Sequence, residues 1–461
     1  MNLRVGSELL FTLGRRYPRL PLTFLRALPL SLLHALRVPA LRETFRIAAR
    51  APWYRDAFAV AGIDVTRARR PEDLGNFFLT SDVLKTRPEA LLTEPPELAI
   101  ESSGTSGHVT RVYLSRRELE YSGRQGSLML GLYGLGREDR LLSTLGLDWG
   151  LGSLLVERLV RHTPMFAMVV GRVDPREAYA RLAQYRFNVL VSDPFWLARL
   201  TEIARERGRP RPMKLLLGGG EGITARTRAE LETFWGALVC MTYASTEAAT
   251  ILGFECTHRT GYHVNEFDFY VEIADPDSDG YGEIVLTTVS RRVMPLIRYR
   301  TGDVARWLVE PCTCGLPFRL LSPLRGRLDE QVSCALGNLH PDFFEPLLAV
   351  VPGFTGDWQA AVYERDLSTV VQIRLELVAD AAARERAVQA VLGALQRSRP
   401  EAWLAYCQRL IDLEVVFVAP GTLHTGRKLL RLVDERLNGP PAWASAAVHE
   451  PPPGRKTDLS V

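Results

Sequence analysis

The feature that most constrains this chain is an alternation that runs from residue 98 to residue 243. Short apolar runs bounded by Gly, Pro or polar residues are each followed by a longer stretch with helical spacing. Residues 98–101 precede the helical stretch 116–134, and the run 141–145 follows. Residues 164–170 lead into 176–186, 188–192 into 194–206, and 213–217 into 225–235, with 238–243 next. An apolar run too short for a helix, followed by a helix, reads as a βαβ unit. Such units place helices on both faces of a largely parallel sheet. From about residue 261 the rhythm changes. Residues 270–273, 283–288, 297–299 and 304–308 are short strand-like runs, interrupted by the turn-rich stretch 275–282, and they predict a β-rich subdomain. Beyond Arg325-Gly326-Arg327, strands at 359–363, 370–378 and 413–418 and helices at 381–396 and 401–410 predict a small α+β domain. The expected class is α/β: a large N-terminal domain with parallel-rich sheets and a β-rich subdomain, plus a small α+β C-terminal domain. The expected divisions are 1–327, 328–438 and a disordered tail, 439–461, which holds five prolines and no apolar period.

The N-terminus raises the question of membranes. Residues 20–41 are Leu-rich, but Arg26, Arg37, Pro21, Pro29 and Pro39 interrupt them, so no run reaches the roughly 18 apolar residues of a spanning helix. The apolar segment also sits too far into the chain, without a cleavage region, for a secretory signal. The expectation is two or three short amphipathic helices and no stable membrane insertion, with peripheral membrane contact as the alternative. Net charge is +4 over 461 residues and comes from scattered Arg rather than a basic block, so nucleic acid is not an expected partner. Six cysteines are too few for a disulfide framework, and the cytoplasm is the default location.

Three segments carry chemistry. Ser102-Ser103-Gly104-Thr105-Ser106-Gly107 follows an apolar run. Its glycines let backbone approach an anion closely, and its hydroxyls add donors. It lacks the Gly-Lys-Ser/Thr ending of a Walker A loop, and by itself it is equally a flexible loop. Tyr243-Ala244-Ser245-Thr246-Glu247 ends another apolar run. Glu247 beside hydroxyls could hold Mg²⁺ next to phosphates; alternatively Ser245 is the N-cap of a helix. In Met294-Pro295-Leu296-Ile297-Arg298-Tyr299-Arg300-Thr301-Gly302-Asp303, an Asp after a tight Thr-Gly turn could accept two ribose hydroxyls, or could simply be a turn residue.

In this order and spacing the segments resemble the phenylacetate–CoA ligase branch of the adenylate-forming enzymes, from about residue 45 to 436. Pro52-Trp53-Tyr54-Arg55, Gly218-Gly219-Gly220-Glu221, Arg325-Gly326-Arg327-Leu328-Asp329 and Gly426-Arg427-Lys428-Leu429-Leu430-Arg431, with Asp434 beyond, extend the likeness. The resemblance implies ATP phosphates on loop 102–107 and adenine between Tyr243 and the turn Gly219-Gly220-Glu221. It implies that Ala244, Ser245, Thr246 and Glu247 line the phosphates and Mg²⁺, that Asp303 takes the ribose with Arg327 nearby, and that Lys428 bridges the acyl carboxylate and ATP. It also implies a mobile C-terminal domain, since in this superfamily that domain rotates between the two half-reactions. The partners implied are a small-molecule carboxylic acid and an acceptor, which is CoA, an acyl carrier protein or an amine. By the resemblance, the acid is held between residues 133–149 and 218–243, where Leu145, Leu147 and Trp149 point to an apolar or aromatic acid or are simply core residues. A homodimer is left open.

The chain departs from the family pattern at His108, where Lys is frequent, at Ala244, where Gly is common, and at Arg427, which separates the usual Gly-Lys pair. Gly337-Asn338-Leu339-His340-Pro341 matches the thiol-binding segment only loosely, which motivates the amine alternative.

Cys312-Thr313-Cys314-Gly315 and the upstream Cys256, His258 and His263 flank the β-rich segment. Four of these five could form a closed structural Zn²⁺ site, as in zinc-bearing members of the resembled family, with His258 and His263 both open as the fourth ligand. Uncoordinated thiols are the plain alternative. Cys240, Cys334 and Cys407 stand alone and read as small core residues.

Overall fold

The computed structural model describes residues 20–102, 109–146, 151–208, 211–220, 222–223, 225–289, 291–328, 332–334, 336–354, 357–419, 421–423, 430–436 and 448–450. A nine-stranded sheet forms its centre. The parallel half runs, in space, through Phe166–Val169, Arg140–Ser143, Val189–Ser192, Leu215–Gly218 and Leu238–Ser245. The other half is antiparallel: Leu238–Ser245 reverses into Thr250–Phe254, and Tyr262–Val264, Leu320–Leu321 and Trp307–Leu308 follow.

Strands Val189–Ser192 and Leu215–Gly218 are buried along their whole length, as a parallel strand must be when helices cover both faces. Successive side chains feed opposite cores. Leu142, Leu190, Leu216 and Val239 pack with Phe187, Trp196 and Trp235, whereas Leu141, Val189, Leu215 and Cys240 pack with Met129 and Leu130.

Helix boundaries follow local chemistry. Pro194 and Pro175 open their helices at the first turn, where a missing N–H costs nothing. Helix Arg116–Leu132 begins with a capping box in which the Ser115 hydroxyl accepts from the Glu118 N–H and Glu118 accepts from the Ser115 N–H at 2.7 Å. The second oxygen of Glu118 accepts from the backbone N–H groups of Arg292 (2.6 Å) and Val293 (3.1 Å), so one cap also fixes a distant loop. Helix Leu151–Val160, to which sequence reading assigned nothing, packs on this helix through glycine. A Cβ at Gly123 or Gly126 would lie 2.7 Å from Arg158 or Leu159.

The β-rich subdomain is a four-stranded antiparallel sheet of Phe269–Ala274, Gly282–Thr288, Tyr299–Ala305 and Gly326–Arg327. The expected strands 297–299 and 304–308, separated by a Thr-Gly turn, are corrected here. Thr301-Gly302-Asp303 lies inside the single strand Tyr299–Ala305 as a bulge. Gly302 takes φ 80°, and the register opposite it shifts between Glu283 and Val285.

The C-terminal region is a five-stranded sheet ordered Leu432–Asp434, Trp358–Arg365, Ser368–Glu376, Ile411–Val418, Val448–Glu450, with helices Pro341–Leu348, Ala381–Ser398 and Pro400–Cys407. Within the stretch 439–461, Val448–Glu450 pairs with Val415–Phe417 and covers the open edge of Ile411–Val418; the rest of that stretch lies outside the described residues. Strand Ser368–Glu376 packs against helix Pro194–Arg207, and one apolar cluster joins them.

The N-terminal stretch is helical as expected: Leu20–Ala27, Leu30–Ala48 and Pro52–Val60. No helix among the described residues is long and apolar enough to cross a membrane. Helix Leu30–Ala48 is tied to the sheets by Glu266. This 0 %-exposed carboxylate takes Arg37 at 3.1 Å and Arg319 at 2.9 Å. Burial alone would raise the Glu266 pKa, but His34, Arg37 and Arg319 hold it at about 2. Glu266→Ala is expected to cost about 3–5 kcal/mol, because it strands two guanidinium groups; a lowered urea midpoint checks this. The depressed pKa also gives a sign: the stabilisation is complete above the unfolded value of about 4.3 and is lost as pH falls toward 2. Acid titration of the alanine variant should lack that component.

Candidate functional site

The carboxyl ends of the parallel strands, where α/β sheets hold ligands, gather the sequence-predicted residues. Strand Leu215–Gly218 ends in the turn Gly219-Gly220, with Gly219 buried and Gly220 exposed; Glu221 lies outside the described residues. The Thr242 hydroxyl donates to the Gly218 carbonyl at 3.0 Å and so binds this turn to the neighbouring strand. That strand places Tyr243 in the core, Ala244 at the surface and Ser245 at its end. Ser245 does not cap a helix. Its hydroxyl accepts from the Ala248 N–H at 3.1 Å across a tight turn, Ala249 adopts φ 54°, and the chain returns along Thr250–Phe254. Thr246 and Glu247 occupy the turn and are half-buried.

A network joins this strand to the antiparallel sheet. The Tyr243 hydroxyl donates to one oxygen of Asp303 at 2.5 Å, and Arg327 donates to the other at 2.9 Å and to the Thr301 carbonyl at 3.1 Å. The pairing of Asp303 with Arg327 across adjacent strands and the bulge at Gly302 aim the carboxylate. Tyr299, on the same strand as Asp303, donates to Glu247 at 3.1 Å. Burial, reinforced by the facing carboxylates, keeps Tyr243 and Tyr299 protonated far above the usual phenol range, so both are donors.

Sequence reading gave no role to Tyr299 or Arg291, though Tyr299 lies in a segment it singled out. Arg291 donates to the backbone carbonyls of Glu247 (2.7 Å) and Ala248, and burial lowers its pKa to about 10. A guanidinium holding carbonyls of a turn far away in sequence leaves no local signal.

Ser102 closes the base of its loop. Its hydroxyl accepts from the Thr110 N–H at 3.0 Å, and its own N–H donates to the Thr110 carbonyl at 2.9 Å. Ser103, Gly104, Thr105, Ser106 and Gly107 lie outside the described residues, as do Leu147, Trp149 and Lys428. The chain on either side of Lys428 is held firmly. Glu376 accepts from the N–H groups of Gly421 and Leu423, both at 2.8 Å, and Gln359 donates to the Leu430 carbonyl at 3.0 Å. The neighbouring Arg431 reaches Asp357 at 2.7 Å. The small sheet meets the large domain where Thr227, near the start of the helix after the glycine turn, donates to Glu364 at 2.6 Å. A groove of 1080 Å³ beside Trp53, Phe77 and Phe78 includes none of these groups.

A second cluster lies in the core below the N-terminal helices. The ligand atoms of Cys256, His263, Cys312 and Cys314 all fall within 4.8 Å of one another, and all four residues are buried. The Cys256 and Cys312 sulfurs are 3.5 Å apart, and the Cys314 sulfur is 3.3 Å from His263 Nε2. Backbone N–H groups of His258, Cys314 and Leu316 point at the sulfurs. Hydrogen bonding from Cys314, and then from His263, outweighs burial and favours the Cys256 thiolate; the same contact pushes the Cys314 thiol up. Of the two histidines left open by the sequence, His263 joins the cluster. His258 Nδ1 faces the Thr313 hydroxyl at 3.1 Å instead. Cys240 and Cys334 are buried and Cys407 is half-buried.

No family model matches the chain. It is 27% identical over 385 residues to the phenylacetate–coenzyme A ligase of Thermus thermophilus, covering 77% of this chain and 83% of that one. It is 28% identical over 360 residues to the phenylacetate–coenzyme A ligase of Pseudomonas putida, covering 71% and 78%. For that of Escherichia coli the figures are 26% over 366 residues, 75% and 82%. Among solved structures, 2-hydroxyisobutyryl-CoA ligase with 2-HIB-AMP and CoA in the thioesterification state matches with a TM-score of 0.72 at 19% identity, covering 89% of this chain and 91% of that one. An open conformation of the same enzyme gives 0.62 at 18% identity, covering 88% and 92%. The chain shares the fold of that ligase.

The bulge makes a local prediction. Gly302→Ala forces a Cβ into a left-handed conformation and is expected to cost about 1–2 kcal/mol. Calorimetry should show a lowered melting temperature.

Proposed function

We propose that this relative of the phenylacetate–CoA ligases activates a carboxylic acid with ATP as an acyl-adenylate and then passes the acyl group to the thiol of CoA. The observation that carries the reading is the Tyr243–Asp303–Arg327 network beside Glu247 at the carboxyl edge of the sheet. Asp303, held between a phenol and a guanidinium, is an acceptor suited to ribose hydroxyls. The turn Gly219-Gly220 and Tyr243 flank the space for adenine, and loop 102–107 takes the phosphates through backbone N–H groups. The match over about three quarters of the chain to enzymes named as phenylacetate–CoA ligases supports the same activity, with an apolar or aromatic acid.

Attack of a carboxylate on the α-phosphate brings two anions together. Lys428, as a cation bridging them, offsets that repulsion and stabilises the charge spread in the transition state. Mg²⁺, held by Glu247, would supply further charge neutralisation at the phosphates. Pyrophosphate leaves, and the thiol sulfur then attacks the acyl carbon and expels AMP. Residues 328–438 serve as a lid that carries Lys428 to the site for the first step and away for the second.

The buried cluster fits Zn²⁺. Three thiols and one imidazole are its common structural donor set, and the 3.5 Å sulfur separation is close to the tetrahedral edge of about 3.7 Å for bonds near 2.3 Å. Bound there, Zn²⁺ would tie the loop at 256–263 to that at 312–314 and so hold the edge of the large sheet.

Exchange of labelled pyrophosphate into ATP, driven by a panel of aryl, arylacetic and fatty acids without CoA, tests the first step. Exchange with at least one apolar acid is expected; none, in a protein that binds ATP, would reject adenylation. With that acid in hand, acyl-CoA formed on adding CoA supports the thiol acceptor, and product formed only with an amine or a carrier protein reassigns it. Lys428→Ala is expected to slow exchange by about 10³-fold while ATP binding survives; an unchanged rate would remove the lysine from the mechanism. Elemental analysis is expected to give about one zinc per chain, lost in Cys312→Ser.

A further inference from the structure

The first 50 residues contain nine Arg, no Lys and two acidic residues, whereas residues 51–461 contain 48 basic and 51 acidic ones. These arginines are scattered rather than run together, but counted by region the excess of positive charge falls in the first 50 residues, and the candidate site uses none of it. The helices there have more apolar surface than the fold covers. Helix Leu30–Ala48 buries Leu33, Leu41 and Phe45 against the body of the protein. It also exposes Leu32, Ala35 and Pro39, spaced by three and four residues on another face, with Leu32 46% exposed. Helix Leu20–Ala27 buries Leu25 and exposes Phe24 (49%) and Arg26. Arg46 and Arg50 are exposed as well, whereas Arg37 is committed to Glu266.

A surface helix needs one apolar stripe; a second, outward one among arginines is the pattern of a helix that lies in a membrane interface. We propose that Leu20–Ala27 and Leu30–Ala48 form a peripheral docking surface for a bilayer rich in anionic phospholipid. Phe24 and Leu32 enter the boundary between headgroups and acyl chains, and the exposed arginines meet the lipid phosphates. Charge selects the occupant. A second copy of the chain packed here by symmetry would set the same basic surface against itself, whereas an anionic bilayer complements it.

Co-sedimentation of the full chain with vesicles tests this. Phosphatidylglycerol–phosphatidylcholine vesicles are expected to retain about tenfold more protein than phosphatidylcholine alone, with release as salt rises. The double variant Phe24→Ser, Leu32→Ser, altered only at exposed positions, should lose that retention with its melting temperature unchanged, and Arg26→Glu with Arg46→Glu should abolish the lipid preference. Equal retention on both vesicle types, or a serine variant that binds as the parent does, would overturn the proposal. So would a lipid-independent dimer that the serine variant dissociates, since that assigns the face to a second copy.

Discussion

A single buried carboxylate couples the two halves of the large domain. Asp303 belongs to the antiparallel sheet, yet one of its oxygens is satisfied by a phenol from the central sheet and the other by an arginine on the neighbouring strand of its own sheet. A buried carboxylate without partners is costly. The network therefore fixes the spacing of two separately formed sheets and, in doing so, sets a carboxylate acceptor in the same network as Glu247. Structural necessity and site chemistry are met by the same atoms. Glu118 acts in a kindred way elsewhere, spending its two oxygens on elements far apart in sequence, and one oxygen of Glu266 takes both Arg37 and Arg319.

Much of the fold was legible because the parallel strands are buried on both sides, so their apolar runs needed no alternation to be noticed. Residues 189–192 fall within the predicted run 188–192, and the strand 215–218 overlaps the predicted run 213–217 in all but Gly218. The segment 299–305 was misread because sequence shows a Thr-Gly pair as a turn, while a glycine bulge uses the same residue type within a strand. Helix Leu151–Val160 escaped because its apolar content is nearly continuous, and its partner reaches it through glycines that read as breakers.

The candidate site divides in a similar way. Tyr243, Glu247, Asp303 and Arg327 could be named from motif order. That Tyr299 would reach Glu247, and Arg291 the carbonyl of Glu247, depended on tertiary contacts across about 40 to 50 residues that no periodicity records. The choice of His263 over His258 was likewise a matter of strand direction. His263 lies in the strand Tyr262–Val264, which pairs with Leu320–Leu321, the strand into which the Cys312–Cys314 loop leads, while His258 sits in the preceding turn.

The anchors around Lys428 have a geometric consequence. The described residues that follow it, Leu430 and Arg431, are tied to the five-stranded sheet at Gln359 and Asp357. Any rotation of that sheet would carry these anchors with it, and the Thr227–Glu364 contact is one hydrogen bond that such a rotation would break.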